Sequence, residues 1–590
     1  MYKKLLSAFD FRLLETLKNF EPSLTEEVKS FIALLLAVRA RGDTRISLDA
    51  TSIKKLFDVK IRPVLKAENA EEVNAFLDLC LLGASSLTSN SYPAIIGTGL
   101  SAERPLILAE QSLYIQKYYI AKESILKKIK VLFPLINVNA ETATKTPAKM
   151  PIDEPPFLHE HQLEAVCRGI SQNLIITGGP GTGKTTVVRH LLTALLTDDA
   201  LKPVYLAAPS GKAASRMQES IKSDFSFIES KTIHRLLRFN PRTNSFFYNA
   251  QNQFPLGGIF IIDEASMIDI EMFARLLEAI PEGSRLFLLG DENQLPSVDV
   301  GAVLGDLLSS LCAHAVVRLT HSYRSNLEIQ ALANAVNEAS EQHPFSAALS
   351  WSSDYQVLLQ TEAKVTAFLT PSSAKNWSSM LEVWVKKHYL PFENTIRELE
   401  THLQKSPLLQ KSPLFLISKT EHPELVLLCD RAWKMVTQAK ILCAERHGPQ
   451  GTLSINPLIT SKLGRTSLIM MTQNLYPYSL YNGDTGLVVF VNQIAYVLFE
   501  RSNGYEKFPL SYFAENTYEA AYAMTIHKSQ GSEFDHVMIV LPTDPEHPLL
   551  SKQILYTAMT RAKEHVTIVS NEGNLAIAAA KKESRETGLL

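Results

Sequence analysis

From about residue 157 to 340 the chain repeats one pattern: a short apolar run, a glycine-bearing or polar turn, then a stretch with helical spacing. The runs NLIIT, PVYLAAP, IFIID and RLFLLG lack the alternation of a half-exposed strand. They predict strands buried on both faces, as in a doubly wound parallel sheet of an α/β protein. A second region of this kind, with weaker punctuation, runs from about 341 to 590. Inside it, residues 466 to 518 are rich in aromatic and β-branched types broken by Asn-Gly at 482 and 503, which predicts a small all-β insertion. Residues 1 to about 145 read as a separate, mainly helical module. There Ser23 followed by Glu26 predicts a capping box, and Val28, Phe31, Ile32, Leu35 and Val38 recur at helical spacing. PLILAEQSLYIQKYYI predicts two short strands across a polar turn at Glu110 to Ser112. The polar, proline-bearing stretch NVNAETATKTPAKMPIDEPP reads as an extended linker. The expected domains are therefore 1–145, 146–340 and 341–590.

Length supports several units, because 590 residues exceed what one core holds, and about 150 residues per domain gives three to four. A composition 46% hydrophobic and 20% charged, without repeats or low-complexity tracts, fits a folded α/β chain. The net charge of -2 means that any nucleic-acid surface is local, since strongly basic domains are the usual electrostatic footprint. Five cysteines (Cys80, Cys167, Cys312, Cys429, Cys443) without a CxxC pair argue against a zinc site and a disulfide framework, and fit a reduced, cytoplasmic compartment. At the start, Asp10 and Arg12 interrupt the apolar run that a signal peptide would need. Phe31 to Val38 falls far short of the ~20 residues that span a bilayer, so no membrane association is expected.

The chemistry begins at NLIITGGPGTGKTTVVRHLL. Gly178, Gly179, Pro180, Gly181, Thr182, Gly183, Lys184 and Thr185 match the P-loop template between a strand and a helix, and Thr186 completes the nucleotide-binding set. Glycines let backbone N–H groups and a helix N-terminus close around phosphates. Lys184 is then expected to reach the β- and γ-phosphates of ATP, and Thr185 to hold Mg²⁺. A chance glycine-rich turn would lack the flanking strand and helix. In IFIIDEASM, Asp263 at a strand end is placed to hold Mg²⁺ and Glu264 to activate the attacking water, although adjacent carboxylates there also cap helices. RLFLLGDENQLP adds Gly290, Asp291 and Gln294, and Gln294 is expected to sense the γ-phosphate unless it belongs to a plain polar turn.

A P-loop leaves kinases, transporters and GTPases open. The ordered set HQLEAV, GGPGTGKT, LAAPSGKAASRM, IFIIDEASM, GDENQLP, LTHSYRS, AMTIHKSQGSEFD and LYTAMTRAK, over about residues 155 to 570, resembles the motifs of superfamily 1 helicases. Within them it is most similar to the RecD branch, and so is the N-terminal module. The resemblance implies two RecA-like lobes with an ATP cleft between them and an SH3-like insertion. It also implies ATP-driven 5′ to 3′ movement on single-stranded DNA from duplex ends, in a heterotrimer with RecB-like and RecC-like subunits that serves repair and recombination.

By match, Gln162 would read adenine, Arg324 would be an arginine finger and Arg561 a second γ-phosphate contact. A guanidinium suits those roles because it neutralises charge on the transferred phosphoryl group. Arg324 in isolation would read as a surface ion pair. Ser210, Gly211, Lys212, Thr232 and His234, with Thr525, His527, Lys528 and Gln530, would line the DNA, their groups suiting phosphate oxygens. For His234 and His527, satisfied burial remains the alternative. Tyr476, Tyr478 and Tyr481, beside Asn482 to Gly486 in the insertion, either stack on bases or form core. No carboxylate-lysine set at nuclease spacing occurs, so DNA cutting is expected on another subunit. Two rivals remain. A stand-alone superfamily 1B helicase would carry a longer N-terminal extension with helix-hairpin-helix motifs. A non-catalytic ATP-binding regulatory subunit would lack at least one catalytic residue, yet Lys184, Thr185, Asp263, Glu264, Gln294, Arg324 and Arg561 are all present.

Overall fold

The computed structural model describes residues 2–66, 68–88, 91–100, 103–134, 158–197, 202–323, 326–340, 342–345, 349–360, 362–405 and 414–589. The expected linker at 137–156 lies outside them. The chain divides into two compact units, Met1–Tyr323 with Glu583–Leu590, and Arg324–Lys582.

The first unit opens with a small bundle. The helix Glu26–Arg39 is buried without a break from Phe31 to Val38 and packs on the helix Ala70–Ser86. Gly83 permits this approach, because a Cβ there would lie 2.2 Å from the carbonyl oxygen of Glu27. The helix is capped by Thr25, whose hydroxyl accepts from the Val28 N–H at 3.4 Å. Ser23 is not the cap: Glu26 is already the first helical residue, and the Ser23 hydroxyl donates to Glu21. Four strands accompany the helices: β1 (Arg45–Ser47), β2 (Ile96–Gly97), β3 (Leu106–Ala109) and β4 (Ser112–Ile115), in the order β1-β4-β3-β2. The module is thus mainly helical, as expected, and its sheet adds β1 and β2 to the two expected strands. The expected hairpin is β3-β4, turning through Glu110 and Gln111 at φ 51° and 53°. Its second strand stops at Ile115, because Gln116 starts the helix Gln116–Leu132.

The four apolar runs become β5 (Leu174–Gly178), β6 (Val204–Ala208), β10 (Ile259–Ile262) and β11 (Arg285–Gly290). With β7 (Ser230–Thr232) and β12 (Val316–Leu319) they build a parallel six-stranded sheet, order β12-β5-β11-β10-β6-β7. A two-stranded hairpin, β8 (Phe239–Asn240) and β9 (Ser245–Phe246), projects between β7 and β10 in sequence. The helix Gln116–Leu132 of the N-terminal module is part of this lobe's core, with Tyr118, Ile125 and Ile129 packed in one cluster with Phe273 and Leu277.

The second unit holds another parallel sheet, made of β13 (Trp351–Ser352), β14 (Val365–Leu369), β16 (Ala439–Cys443), β22 (Ala523–Thr525), β23 (Phe534–Val540) and β24 (Ala562–Ser570). Their order is β13-β14-β24-β23-β16-β22. Beside it in the chain lies a six-stranded antiparallel sheet of β15 (Phe415–Ser418), β17 (Leu468–Met471), β18 (Thr485–Val491), β19 (Ile494–Arg501), β20 (Gly504–Pro509) and β21 (Tyr518–Ala520). The all-β segment therefore also takes in residues 415–418. β18 and β19 turn through Asn492 and Gln493 at φ 51° and 64°, a turn without glycine that the sequence pattern did not flag.

Candidate active site

Because β5, β6, β7, β10, β11 and β12 are parallel, their carboxyl ends share one edge of the sheet, where such folds collect functional side chains. Gly178 ends β5, Asp263 follows β10 and Asp291 follows β11. The sheet thus brings the P-loop, the paired carboxylates and Gln294 to one edge from segments spread over more than a hundred residues. The same edge carries Ser210 after β6 and Thr232 at the end of β7.

Gly181 and Gly183 take φ 77° and 84°, which glycine adopts without strain. A Cβ on Gly183 would lie 2.2 Å from the Gln162 side-chain nitrogen, and one on Gly178 would lie 2.8 Å from the Leu319 carbonyl. Lys184 heads the helix Lys184–Thr197, and its Nζ donates to the carbonyls of Gly178 at 2.5 Å and Gly179 at 3.1 Å. The Thr182 hydroxyl donates to Gly179 at 2.8 Å. Thr185 and Thr186 follow in the first helical turn, partly exposed, and Pro180 accepts from the Ser322 hydroxyl at 3.3 Å. The buried Gln162 donates to the Thr182 carbonyl at 3.0 Å and accepts from the His159 N–H at 3.0 Å, so its amide braces the P-loop. Around it, His159 stacks on His321 with centroids 4.9 Å apart, and His321 meets Tyr323 edge-on at 4.5 Å. Sequence reasoning passed over this aromatic cluster, because its members are far apart in the chain.

Asp263 accepts from the Glu264 N–H at 2.8 Å. Burial pushes its carboxyl up from the usual range, the neighbouring Glu264 charge adds to this, and the ammonium of Lys184 opposes it. Glu264 itself has φ 52°, a left-handed backbone uncommon outside glycine. Gln294 is buried and donates to Asp291 at 3.0 Å, while its Oε1 has no hydrogen-bond partner among the described residues.

The other predicted residues are distributed as follows. Ser210 and Thr232 spend their hydroxyls as helix N-caps, accepting from Ala213 N–H at 3.2 Å and Arg235 N–H at 3.3 Å. Gly211 and Lys212 are exposed at the start of the capped helix. His234 packs against Phe239 and Phe246, and burial holds its pKa below the ordinary histidine value. Arg324 lies outside the described residues, as does the side chain of Tyr476. Tyr478 packs edge-on against Phe508 and Phe513 in the apolar core of the antiparallel sheet, so for this ring the core alternative holds. Tyr481 is part-buried, and its N–H donates to Asp484 at 2.8 Å.

In the second unit, Thr525 ends β22 and accepts from the Lys528 N–H at 3.4 Å, and the turn His527–Ser529 leads to the buried Gln530. The Lys528 ammonium pairs with Glu519 at 2.7 Å, which also pairs with Arg446 at 3.0 Å. Arg561 is buried and donates to the carbonyls of Thr557 at 3.2 Å and Ser532 at 3.3 Å. Glu519 and the buried Asn456, which holds both backbone groups of Ala523, were invisible in the motif string.

A parallel sheet with a P-loop after its first strand in sequence and paired carboxylates after β10, with β11 between the two, defines a P-loop NTPase, here with two RecA-like α/β units. The family model described as an AAA domain matches residues 162–300, and that of the UvrD-like helicase C-terminal domain matches 520–569. The chain belongs to the RecD family: it is 30% identical over 530 residues to the RecBCD enzyme subunit RecD of Mycolicibacterium smegmatis, covering 84% of this chain and 85% of that one. The ATP-dependent RecD2 DNA helicase of Deinococcus radiodurans is 28% identical over 420 residues, covering 71% of this chain and 50% of its own. Among solved structures, the Bacteroides Pif1 helicase in complex with ADP-AlF3 and single-stranded DNA aligns at 18% identity and a TM-score of 0.36, over 73% of this chain and 95% of that one. No helix among the described residues is long and apolar enough to cross a membrane.

Proposed function

We propose that this chain is the ATP-dependent DNA helicase subunit of a RecBCD-type helicase-nuclease, moving 5′ to 3′ on single-stranded DNA from duplex ends in break repair and recombination. The observation that carries this reading is the convergence of Lys184, Asp263, Glu264 and Gln294 on one sheet edge in a RecD-family chain. RecB-like and RecC-like subunits are the proposed partners, the compartment is the cytoplasm, and the nuclease centre lies on another subunit.

The residues fit a nucleotide and Mg²⁺. Left-handed glycines open the P-loop backbone to phosphates, and a part-buried carboxylate with a second beside it is a place where added positive charge is favoured. Thr185 and Asp263 would hold Mg²⁺, which when bound supplies charge stabilisation to the phosphate oxygens. Lys184 binds the β- and γ-phosphates, Glu264 takes the proton of the attacking water, and the free Oε1 of Gln294 orients that water or reads the γ-phosphate. Gln162 serves the adenine side while bracing the loop. Arg324 and Arg561 neutralise charge on the transferred group, and Thr525, His527, Lys528 and Gln530 grip the strand. The deciding experiment measures ATPase with and without single-stranded DNA, then unwinding of duplexes with a tail at one end. Stimulated turnover and unwinding of 5′-tailed substrates are expected, and unwinding confined to 3′ tails would refute the polarity.

A further inference from the structure

We propose that residues 583–589 form a strap that fastens the N-terminal module to the loop behind Gln294, with Arg585 as the positioning residue for that loop. The proposal rests on the reading of Gln294 as the γ-phosphate sensor.

After Lys582 the chain returns to the first unit at Glu583. From there nearly every polar group of the segment meets one of two surfaces. Toward the N-terminal module, Lys60 donates to the Ser584 carbonyl at 2.7 Å. The Glu586 N–H donates to the buried Asp43 at 2.7 Å, and the Thr44 N–H donates to the Glu586 carbonyl at 2.8 Å. The Thr44 hydroxyl donates to the Thr587 carbonyl at 2.6 Å. Toward the motor lobe, the Thr587 hydroxyl donates to Asp306, and Leu589 is buried in the lobe's core cluster with Val303 and Leu307.

Arg585 is the centre of this arrangement. Its Nη1 donates to the carbonyls of Ser297 at 2.6 Å, Asp299 at 2.9 Å and Gly301 at 3.4 Å, while Glu583 pairs with its Nη2 at 3.0 Å. Residues 295–301 begin immediately after Gln294 and lie in no strand or helix; within the loop the Ser297 hydroxyl donates to the Asp299 and Gly301 carbonyls, at 2.8 and 2.9 Å, and the arginine adds donors that tie all three carbonyls to the strap. The close approach also needs Gly42, at φ 93°, where a Cβ would lie 2.6 Å from the Arg585 Nε. Gly42 in turn accepts from the Gly301 N–H at 2.8 Å, so strap, module and loop meet at one point. A segment that merely covered apolar surface would need Leu589 and not this set of carbonyl bonds. The geometry makes the position of the Gln294 loop depend on a segment almost three hundred residues further along the chain.

The test uses the full-length chain with Arg585→Ala and Arg585→Lys, read by DNA-stimulated turnover, by the KM for ATP and by backbone amide exchange. Arg585→Ala is expected to lower kcat by about tenfold with KM within about twofold, because the P-loop keeps its own bonds. Amides of residues 295–301 and 42–44 should exchange faster while those of 178–185 do not, and Arg585→Lys should recover part of both effects. Turnover within about twofold of wild type, or a rise in KM with kcat unchanged, overturns the proposal. Should the alanine variant not fold, unchanged exchange of residues 295–301 in Arg585→Lys overturns it equally. A wild-type chain without DNA-stimulated turnover would sink the sensor reading instead, and the exchange measurement would still decide whether the strap holds the loop.

Discussion

Glu264 sits at φ 52°, separated by one residue from a strand of four fully buried residues, and its N–H is spent on the Asp263 carboxylate. That backbone is uncommon for a residue with a side chain, and here, unlike at Glu110 or Asn492, it serves no hairpin turn. Two substitutions separate the roles proposed around it. Lys184→Gln removes the cation from the phosphate cradle and should lower turnover on the order of 10²- to 10³-fold. Glu264→Gln keeps the shape but cannot accept a proton, so ATP should bind with near-normal affinity and persist uncleaved. Equilibrium nucleotide binding and single-turnover hydrolysis, measured separately, check both outcomes. Residues 178–185 were legible in the sequence because a phosphate cradle is built from consecutive backbone groups, and its glycines must stand side by side. Gln162 was legible only as a motif member. Its bond to Thr182 bridges twenty residues, and nothing local encodes it.

Elements of the second unit carry chemistry that no motif announces. Beside the helix Ala374–Trp384, His388 and His536 pack against Trp384 and each other, and His565 of β24 packs on His536. Burial, together with the charge of Lys387 and the facing histidines, lowers the pKa of His388 to about 3 and that of His536 further still. Both histidines are therefore neutral in the folded unit, while an unfolded chain takes up protons below about pH 6.5. The stability they contribute is present above that pH and is lost as pH falls toward the folded values. The loss approaches about 1.4 kcal/mol per pH unit for each histidine. All four tryptophans, Trp351, Trp377, Trp384 and Trp433, lie in this unit, so tryptophan fluorescence reports its unfolding. Denaturant midpoints should fall between pH 7 and pH 5, and His388→Leu should flatten that dependence. Asn456 is the second such feature. From the helix Thr452–Leu463 it donates to the carbonyls of Ala520 and Ala523 and accepts from the Ala523 N–H, closing the edge of β22 beside Thr525. Asn456→Leu leaves three backbone groups without partners and should cost about 3 kcal/mol in the same fluorescence assay. Hydrophobic runs predicted the strands, since burial on both faces is written in composition. Which asparagine closes a sheet edge, or which histidines share a core, depends on packing between distant segments.

At the scale of the whole molecule, part of the N-terminal module is committed to the motor lobe. Its helix Gln116–Leu132 is built into the core of the motor lobe, with Lys117 paired to Glu271, Ser124 bonded to Glu278 and the Lys128 ammonium on the Ile280 carbonyl at 2.7 Å. A chain shortened to begin near residue 153 would uncover that core, so truncation cannot separate docking from buttressing. Another helix of the module can. On the helix Ala8–Phe20, Asp10, Leu14 and Leu17 are buried inward, whereas Phe9 and Phe20 are 69% and 70% exposed. Eleven residues apart, they fall within about 20° of each other around the helix axis, on one outer stripe. Both rings are open to solvent, and removing them tests whether a protein partner uses this stripe. The contact with the proposed partner subunits is therefore sought on this helix. The double substitution Phe9→Ser with Phe20→Ser should leave DNA-stimulated ATPase and thermal stability near wild type while sharply reducing co-purification with RecB-like and RecC-like subunits. Undiminished assembly would move the contact off this helix and leave the module as a buttress of the motor lobe.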